Sequence, residues 1–322
     1  MKMTKWYLMI LCLLVPAVAG LAAVPAPATA ADTASSLVTT EWLQKNLNTP
    51  GLVIIDVRTA SNYGFAHIPG AVSAPYLRNW EPWNKARQCQ LMPTPKYFTG
   101  LMRHLGVNNS SHVVIYDHGN TANDATMGGA AVWIMETMGH AAVSYLDGGF
   151  TKWTFEGRLV DNKTPAPPPG DFVAKPDPSK VATLSEVSEN LKTGEWLLVD
   201  TRNSFQFFGT SRRPDAARYG HLPGALNLPA EFATNAGINR APATFKNKED
   251  LEAMARGVGI PANLDTKIIT YCNSAQQAGM VYFVLHDLVG YRNVKVFDGS
   301  ILEYAASLDL PMVKYSWSEE AK

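Results

Sequence analysis

At 322 residues the chain is long enough for two domains of ordinary size, and an apolar fraction of 46% supplies sizeable cores. The 28 basic and 28 acidic residues cancel, so the net charge gives no sign of a nucleic-acid or acidic partner, and none is expected. Three cysteines in so long a chain are too few for a disulfide-built secreted fold.

Residues 1–30 read as a secretory signal. Lys2 and Lys5 precede an apolar run from Trp6 to Val15, and small residues lead to Ala28-Thr29-Ala30, so the mature chain is expected to begin near Ala31 and to be periplasmic or secreted. The run is short for a spanning helix, which needs about 20 apolar residues. Because the small and apolar stretch continues toward Ala23, an uncleaved membrane anchor is the alternative. Cys12 follows Leu11 rather than a small residue, which argues against lipoprotein modification. Cys89 and Cys272 remain. Cys89 sits in a polar stretch without a strand end and reads as structural and unpaired; a Cys89–Cys272 disulfide is the rival reading.

The chain then repeats itself. Leu52-Val53-Ile54-Ile55-Asp56-Val57-Arg58 returns as Leu197-Leu198-Val199-Asp200-Thr201-Arg202, and His67-Ile68-Pro69-Gly70-Ala71 returns as His221-Leu222-Pro223-Gly224-Ala225. Val113 to Asp117 returns as Ile268 to Cys272, and Asp147-Gly148-Gly149 as Asp298-Gly299-Ser300. The offset is 144 between Asp56 and Asp200, 154 between Pro69 and Pro223, 155 between Asp117 and Cys272, and 151 between Asp147 and Asp298. The second copy therefore gains about ten residues near Thr210 to Tyr219 and shortens its cysteine loop by four, as a duplicated domain does.

The boundaries this implies are a first domain at 37–157, a proline-rich linker at 158–180 and a second domain at 181–310. Six prolines in the linker remove amide donors and fix φ, so an extended segment is expected there. Thr183-Leu184-Ser185-Glu186 is a capping box opening a helix. Strands are expected at Trp196 to Asp200, Lys267 to Tyr271 and Val294 to Phe297, and helices at Asn247 to Arg256 and Gln277 to Val289. This alternation argues for α/β domains, each a mainly parallel sheet with helices on both faces. Ligands of such sheets bind beyond the strands' C-terminal ends.

Cys272 falls at such an end. An apolar, β-branched run stops at it, six short or polar residues follow, and a helical pattern comes next. Loop amides and the positive end of the helix favour a thiolate, which is a nucleophile. A buried structural cysteine is the competing reading.

Together these residues resemble the tandem-domain rhodanese sulfurtransferases, of the thiosulfate and 3-mercaptopyruvate type. The matching features are Asp-x-Arg after a strand, His-(Ile/Leu)-Pro-Gly-Ala, Tyr271-Cys272 opening a six-residue loop, Gly290-Tyr291 and Asp298-Gly299. The likeness covers about Leu37 to Tyr304. It implies two rhodanese-like domains, with chemistry in the second. Cys272 would take a sulfane sulfur from a small anion such as thiosulfate and pass it to cyanide or a thiol, without metal or organic cofactor. Asn273, Ser274, Ala275, Gln276, Gln277 and Ala278 would cradle the sulfur, with Gln206 facing the substrate and Asp200 and Arg202 supporting the strand end. A binding protein that carries sulfur or selenium to a protein acceptor is the alternative.

Asp117 stands where Cys272 stands and cannot accept a sulfane sulfur, so the first copy should be non-catalytic. Asp117 with His118 and Asp124, as a metal or acid–base set, is the other reading. His67 and His221 precede Pro-Gly and should stabilise turns. Asp56 with Arg58, and Asp200 with Arg202, should be framework pairs, and Trp133 and Trp153 core or interface residues. The departures are informative. Ala275 replaces a usual glycine, Gln277 replaces a loop arginine, and Gln206 stands where related enzymes carry an anion-binding arginine. Arg212, Arg213, Arg218 and Arg240 are the basic groups left to substitute. Ala278 closes the loop where rhodanese-like phosphatases, with one residue more, need arginine, which argues against phosphatase chemistry.

Overall fold

The computed structural model describes residues 35–76, 80, 92–235 and 241–317. The segment read as an export signal, Cys89 and Arg240 lie outside these residues. No helix among the described residues is long and apolar enough to cross a membrane.

Two five-stranded sheets carry the two copies. The first runs β1 (Leu37–Val38), β5 (Val143–Leu146), β4 (His112–Tyr116), β2 (Leu52–Asp56), β3 (Val72–Ser73). The second runs β6 (Val181–Ala182), β10 (Asn293–Phe297), β9 (Lys267–Tyr271), β7 (Leu197–Asp200), β8 (Leu226–Asn227). Every pairing is parallel, and the spatial order is the same in both. Central strands such as Val113-Val114-Ile115 and Ile268-Ile269 are buried on both faces, which is why they read as unbroken apolar runs.

The helices follow their sequence signals closely. Thr183 and Glu186 form the expected capping box on Leu184–Thr193, and Asn247 caps Lys248–Gly257. The helix after Cys272 starts at Gln276, runs to Phe283 and continues as a π-helical turn over Val284–Val289. The linker is extended except for a 3-10 turn at Pro178–Lys180, but it is no spacer. It is strapped along the first domain. Asp161 bridges His67, Gly170 N–H donates to Arg103 O at 2.8 Å, and Phe172, buried, packs edge-on against Phe98 and His140. A side chain at Gly170 would lie 2.0 Å from Val107 O, so only glycine fits. The tail repeats the device, with Val313 bridging His221 and Tyr315 N–H donating to Phe208 O.

The two copies meet through helices Ala122–Thr137 and Gln276–Phe283. A Cβ added at Gly279 would lie 2.9 Å from Ala130 Cα, and one at Gly129 would lie 2.9 Å from Met280 Cα. Two carboxylates flank the crossing reciprocally. Asp147 accepts from Phe245 N–H at 2.9 Å, and Asp298 accepts from Met92 N–H at 3.0 Å. Trp133 and Trp153 are buried, as expected, and Trp133 lies at the crossing. Overpacking this contact costs about 1–3 kcal/mol. Gly279→Val should therefore lower the melting temperature by a few degrees. Gly257→Ala, whose added Cβ meets nothing within 4 Å, is the matched control and should leave it unchanged or slightly raised; thermal unfolding followed by circular dichroism reads both.

Candidate functional site around Cys272

β9 ends at Tyr271, and Cys272 is the next residue, at the C-terminal edge of the sheet. The strand end is clamped from two sides. Thr201 N–H donates to Tyr271 O at 2.9 Å, and Leu222 N–H donates to Tyr271 Oη at 3.2 Å. Asp200 and Arg202 are the expected framework pair. The guanidinium is 1% exposed, holds Asp200 through both carboxylate oxygens, and donates to Gly220 O at 2.8 Å. Asp56 and Arg58 repeat this in the first copy, with Ala66 O as the carbonyl. His221 stacks on Phe207 at 3.7 Å and bonds its carbonyl through Nδ1, and His67 does the same with Tyr63, so both pin a helix to the Pro-Gly turn.

The loop is built around Ser300. Its Oγ accepts from the amides of Cys272 and Ala275, both at 3.2 Å, and donates to Phe297 O at 2.7 Å. Gln276 N–H is taken by Ser274 O. Two of the six amides expected to converge on sulfur are thus already bonded, Ala275 to Ser300 and Gln276 within the loop, leaving at most those of Asn273, Ser274, Gln277 and Ala278. Ala275 lies in the left-handed region at φ 66°, and Ser300 at φ 48°. Each costs about 1 kcal/mol relative to glycine, a strain of the kind that collects at functional sites. Cys272 is 2% exposed and forms no disulfide among the described residues.

Three side chains tie the loop to its surroundings. Asn273 Nδ2 donates to Gln206 Oε1 at 3.0 Å, so Gln206 does reach the loop, positioned by the helix Ser204–Phe208. Gln276 Nε2 donates across the domain seam to Thr126 Oγ1 at 2.7 Å. Arg213 donates to Ser274 Oγ at 3.1 Å while paired with Asp215. Gln277 is half-buried and Ala278 fully buried.

The other inserted arginines do not serve the loop. Arg212 is spent on the carbonyls of Pro214 and Ala216, and Arg218 on those of Tyr304, Ala305, Ser307 and Leu310. Sequence reading missed Ser300 and Thr126. Ser300 left a signal, since it replaces Gly149 in the repeat; Thr126 left none, because its partner is 150 residues away.

In the first copy, Asp117 follows β4 and is fully buried. Burial pushes its carboxyl up to about 7, against the Tyr145 hydroxyl, which donates to Oδ2 at 2.9 Å; Oδ1 has no partner. Asp124 is used in the capping box with Thr121 that opens Ala122–Thr137, so Asp117, His118 and Asp124 do not gather into one ligand set. A carboxyl whose folded pKa is raised stabilises fully below its unfolded value, and that contribution is lost as pH rises to about 7. The shift from 3.8 to about 7 corresponds to at most roughly 4 kcal/mol. Asp117→Asn should match wild type near pH 4, be more stable at pH 8, and change sulfur transfer only modestly; denaturant unfolding across that range checks it. Ser300→Ala should strand two buried amides, each worth about 1–3 kcal/mol, and slow any chemistry at Cys272. Ala275→Gly should instead raise the melting temperature by a few degrees, and calorimetry with a parallel activity assay separates the two.

Comparison with known proteins agrees with this geometry. The rhodanese-like domain model matches twice, at residues 39–156 and 183–307. The sulfur carrier protein TtuD of Thermus thermophilus is 33% identical over 290 residues, covering 86% of this chain and 96% of TtuD. The 3-mercaptopyruvate sulfurtransferase of Escherichia coli is 30% identical over 283 residues, covering 84% and 95%. The crystal structure of SseA from Escherichia coli, a 3-mercaptopyruvate sulfurtransferase with the rhodanese fold, aligns at TM-score 0.71 and 28% identity, over 83% of this chain and 99% of that one. Duplicated sheets, paired Asp-x-Arg frameworks and a cysteine at one of two equivalent strand ends thus place the chain in the rhodanese-like family, as a member with two such domains.

Proposed function

We propose that the protein is a sulfurtransferase that moves a sulfane sulfur through a persulfide on Cys272. The single observation that carries this reading is the asymmetry of the repeat. Of two equivalent strand ends, only the second presents a thiol, on a loop that runs straight into a helix start. The Cys272 thiolate attacks the outer sulfur of a donor such as thiosulfate. The donor S–S bond breaks, and sulfite leaves with the electron pair. An acceptor, cyanide or a thiolate, then attacks the outer persulfide sulfur and returns Cys272 as thiolate. No electron carrier is needed, and the loop amides and helix end stabilise the anion at each stage.

Arg213 is the cation that faces the donor on this reading. It supplies the charge that Gln206 and Gln277 lack, though Asp215 offsets part of it. A weak thiosulfate:cyanide activity follows, weaker still with mercaptopyruvate, whose carboxylate also needs a cation. The relationship to a sulfur carrier favours a second reading, in which turnover is low and a dedicated protein accepts the sulfur. The order of basic, apolar and small residues in 1–30 supports export to the periplasm or beyond.

Intact mass spectrometry of the purified protein tests the core of this. Wild type should gain one sulfur with thiosulfate and lose it with cyanide, and the mass should correspond to a chain starting near Ala31. Cys272→Ser should gain none; uptake in that variant would remove the proposal. Losing a charge-assisted hydrogen bond of about 1.5–3 kcal/mol weakens transition-state binding roughly ten- to a hundredfold. Arg213→Ala should lower kcat/KM for thiosulfate by that factor and Gln206→Arg should raise it, with Cys272 alkylation by a neutral reagent unchanged in both.

A further inference from the structure

We propose that Glu136, His286 and Asp287 form a binding site for one divalent first-row transition cation, zinc foremost, at the seam between the two domains. One imidazole nitrogen and two carboxylate oxygens lie within 4.8 Å of one another, contributed by both copies. Glu136 comes from the helix Ala122–Thr137, and His286 and Asp287 come from the π-helical turn Val284–Val289. That turn lies some ten residues beyond the Cys272 loop, about 15 Å along the helix, so the site is separate from the sulfur chemistry.

The second observation is an orphaned oxygen. The Asp287 side chain is 6% exposed, and its Oδ2 is buried with no hydrogen-bond partner. Buried carboxylate oxygens are nearly always partnered, and each exception calls for a reason. A cation is such a reason. The π-helical turn agrees, since that widened spacing is rare and is found mostly at functional sites.

The neighbours suit a metal. His286 stacks on Tyr282 at 4.9 Å and 15°, which fixes the ring plane, and its Nδ1 meets Asp287 Oδ1 at 2.8 Å. A cation there replaces the proton shared between those atoms. Tyr282 Oη donates to Glu136 Oε2 at 2.9 Å and orients that carboxylate, as outer partners of metal ligands do. Lys180 is the competing charge, at 3.2 Å from Glu136 Oε2 and 2.6 Å from Tyr282 Oη. Two carboxylates against one lysine leave a negative charge while His286 is neutral. Lys180 is 21% exposed and can turn toward solvent as a metal enters. A mixed nitrogen and oxygen set of this size is the chemistry zinc accepts, ahead of magnesium or calcium, which take oxygen alone. Because the ligands span two domains, the cation would bind the assembled fold and not the unfolded chain.

Zinc titrated by calorimetry into EDTA-treated, desalted full-length protein tests the site. Wild type and Cys272→Ser should each bind one zinc per chain and melt several degrees higher with it, less so at pH 5 than at pH 8 as protons compete for the ligands. Asp287→Asn and Glu136→Gln should each bind at least tenfold more weakly; if one fails to fold, the other carries the result. Absence of one-to-one binding in wild type would overturn the proposal. Binding that persists in the Asp287 and Glu136 variants but disappears in Cys272→Ser would overturn it equally, since the thiol would then be the ligand.

Discussion

The close crossing of Ala122–Thr137 over Gln276–Phe283 sets the geometry from which the Cys272 loop hangs. Gly129 and Gly279 let the two backbones approach until no side chain fits between them, and the cores of both copies merge there. The helix fixed by this contact is the one whose first turn follows Ala275, so its positive end is aimed by the neighbouring domain. Gln276 reaches across the seam to Thr126, and Asp147 and Asp298 each cap an amide of the opposite copy. The first domain, with Asp117 and not a thiol at the equivalent strand end, acts as the wall that keeps the second domain's loop in register.

Duplication made this division possible. Both copies keep the same buried Asp–Arg pair, the same stacked histidine and the same strap along the Pro-Gly turn, because these hold a sheet edge whatever chemistry stands on it. The difference lies at the strand end. In the first copy a fully buried carboxyl faces a tyrosine hydroxyl, and Asp124 folds its loop back onto the helix start. In the second copy the thiol takes that place, and a serine hydroxyl organises the amides around it.

The fold was legible because its signals are local and doubled. Apolar runs such as Ile268-Ile269, capping residues such as Thr183 and Asn247, and the repeated His-x-Pro-Gly-Ala each specify an element without help from distant residues. The thiol's position was legible for the same reason, since a strand end and a helix start flank it. The bonds that shape the loop were not. Ser300, Arg213 and Thr126 act over 25, 61 and 150 residues of separation. The repeat marks Ser300 as a departure and the insertion marks Arg213 as one of several basic groups, but neither names its partner, and Thr126 is not marked at all. The prolines of 158–180 predicted an extended segment but not its attachment, because that attachment depends on carbonyls of residues 103–138 turning outward to meet it.

The strain at Ala275 and Ser300 bears on how a buried thiol can trade sulfur at all. Two non-glycine residues in the left-handed region are held facing each other by one hydroxyl, so the loop is over-determined and does not readily open. With Cys272 at 2% exposure, a bulky acceptor meets the loop rim before it meets the thiol. A slim donor anion has less to clear. On the proposed reading, loading changes this balance, because a persulfide places its reactive atom one S–S bond, about 2.05 Å, beyond Sγ. The acceptor then attacks an atom closer to the rim while the cysteine stays seated. A rigid loop with a recessed thiol therefore favours small donors for loading and tolerates larger acceptors for unloading, the asymmetry that a carrier and a transferase share.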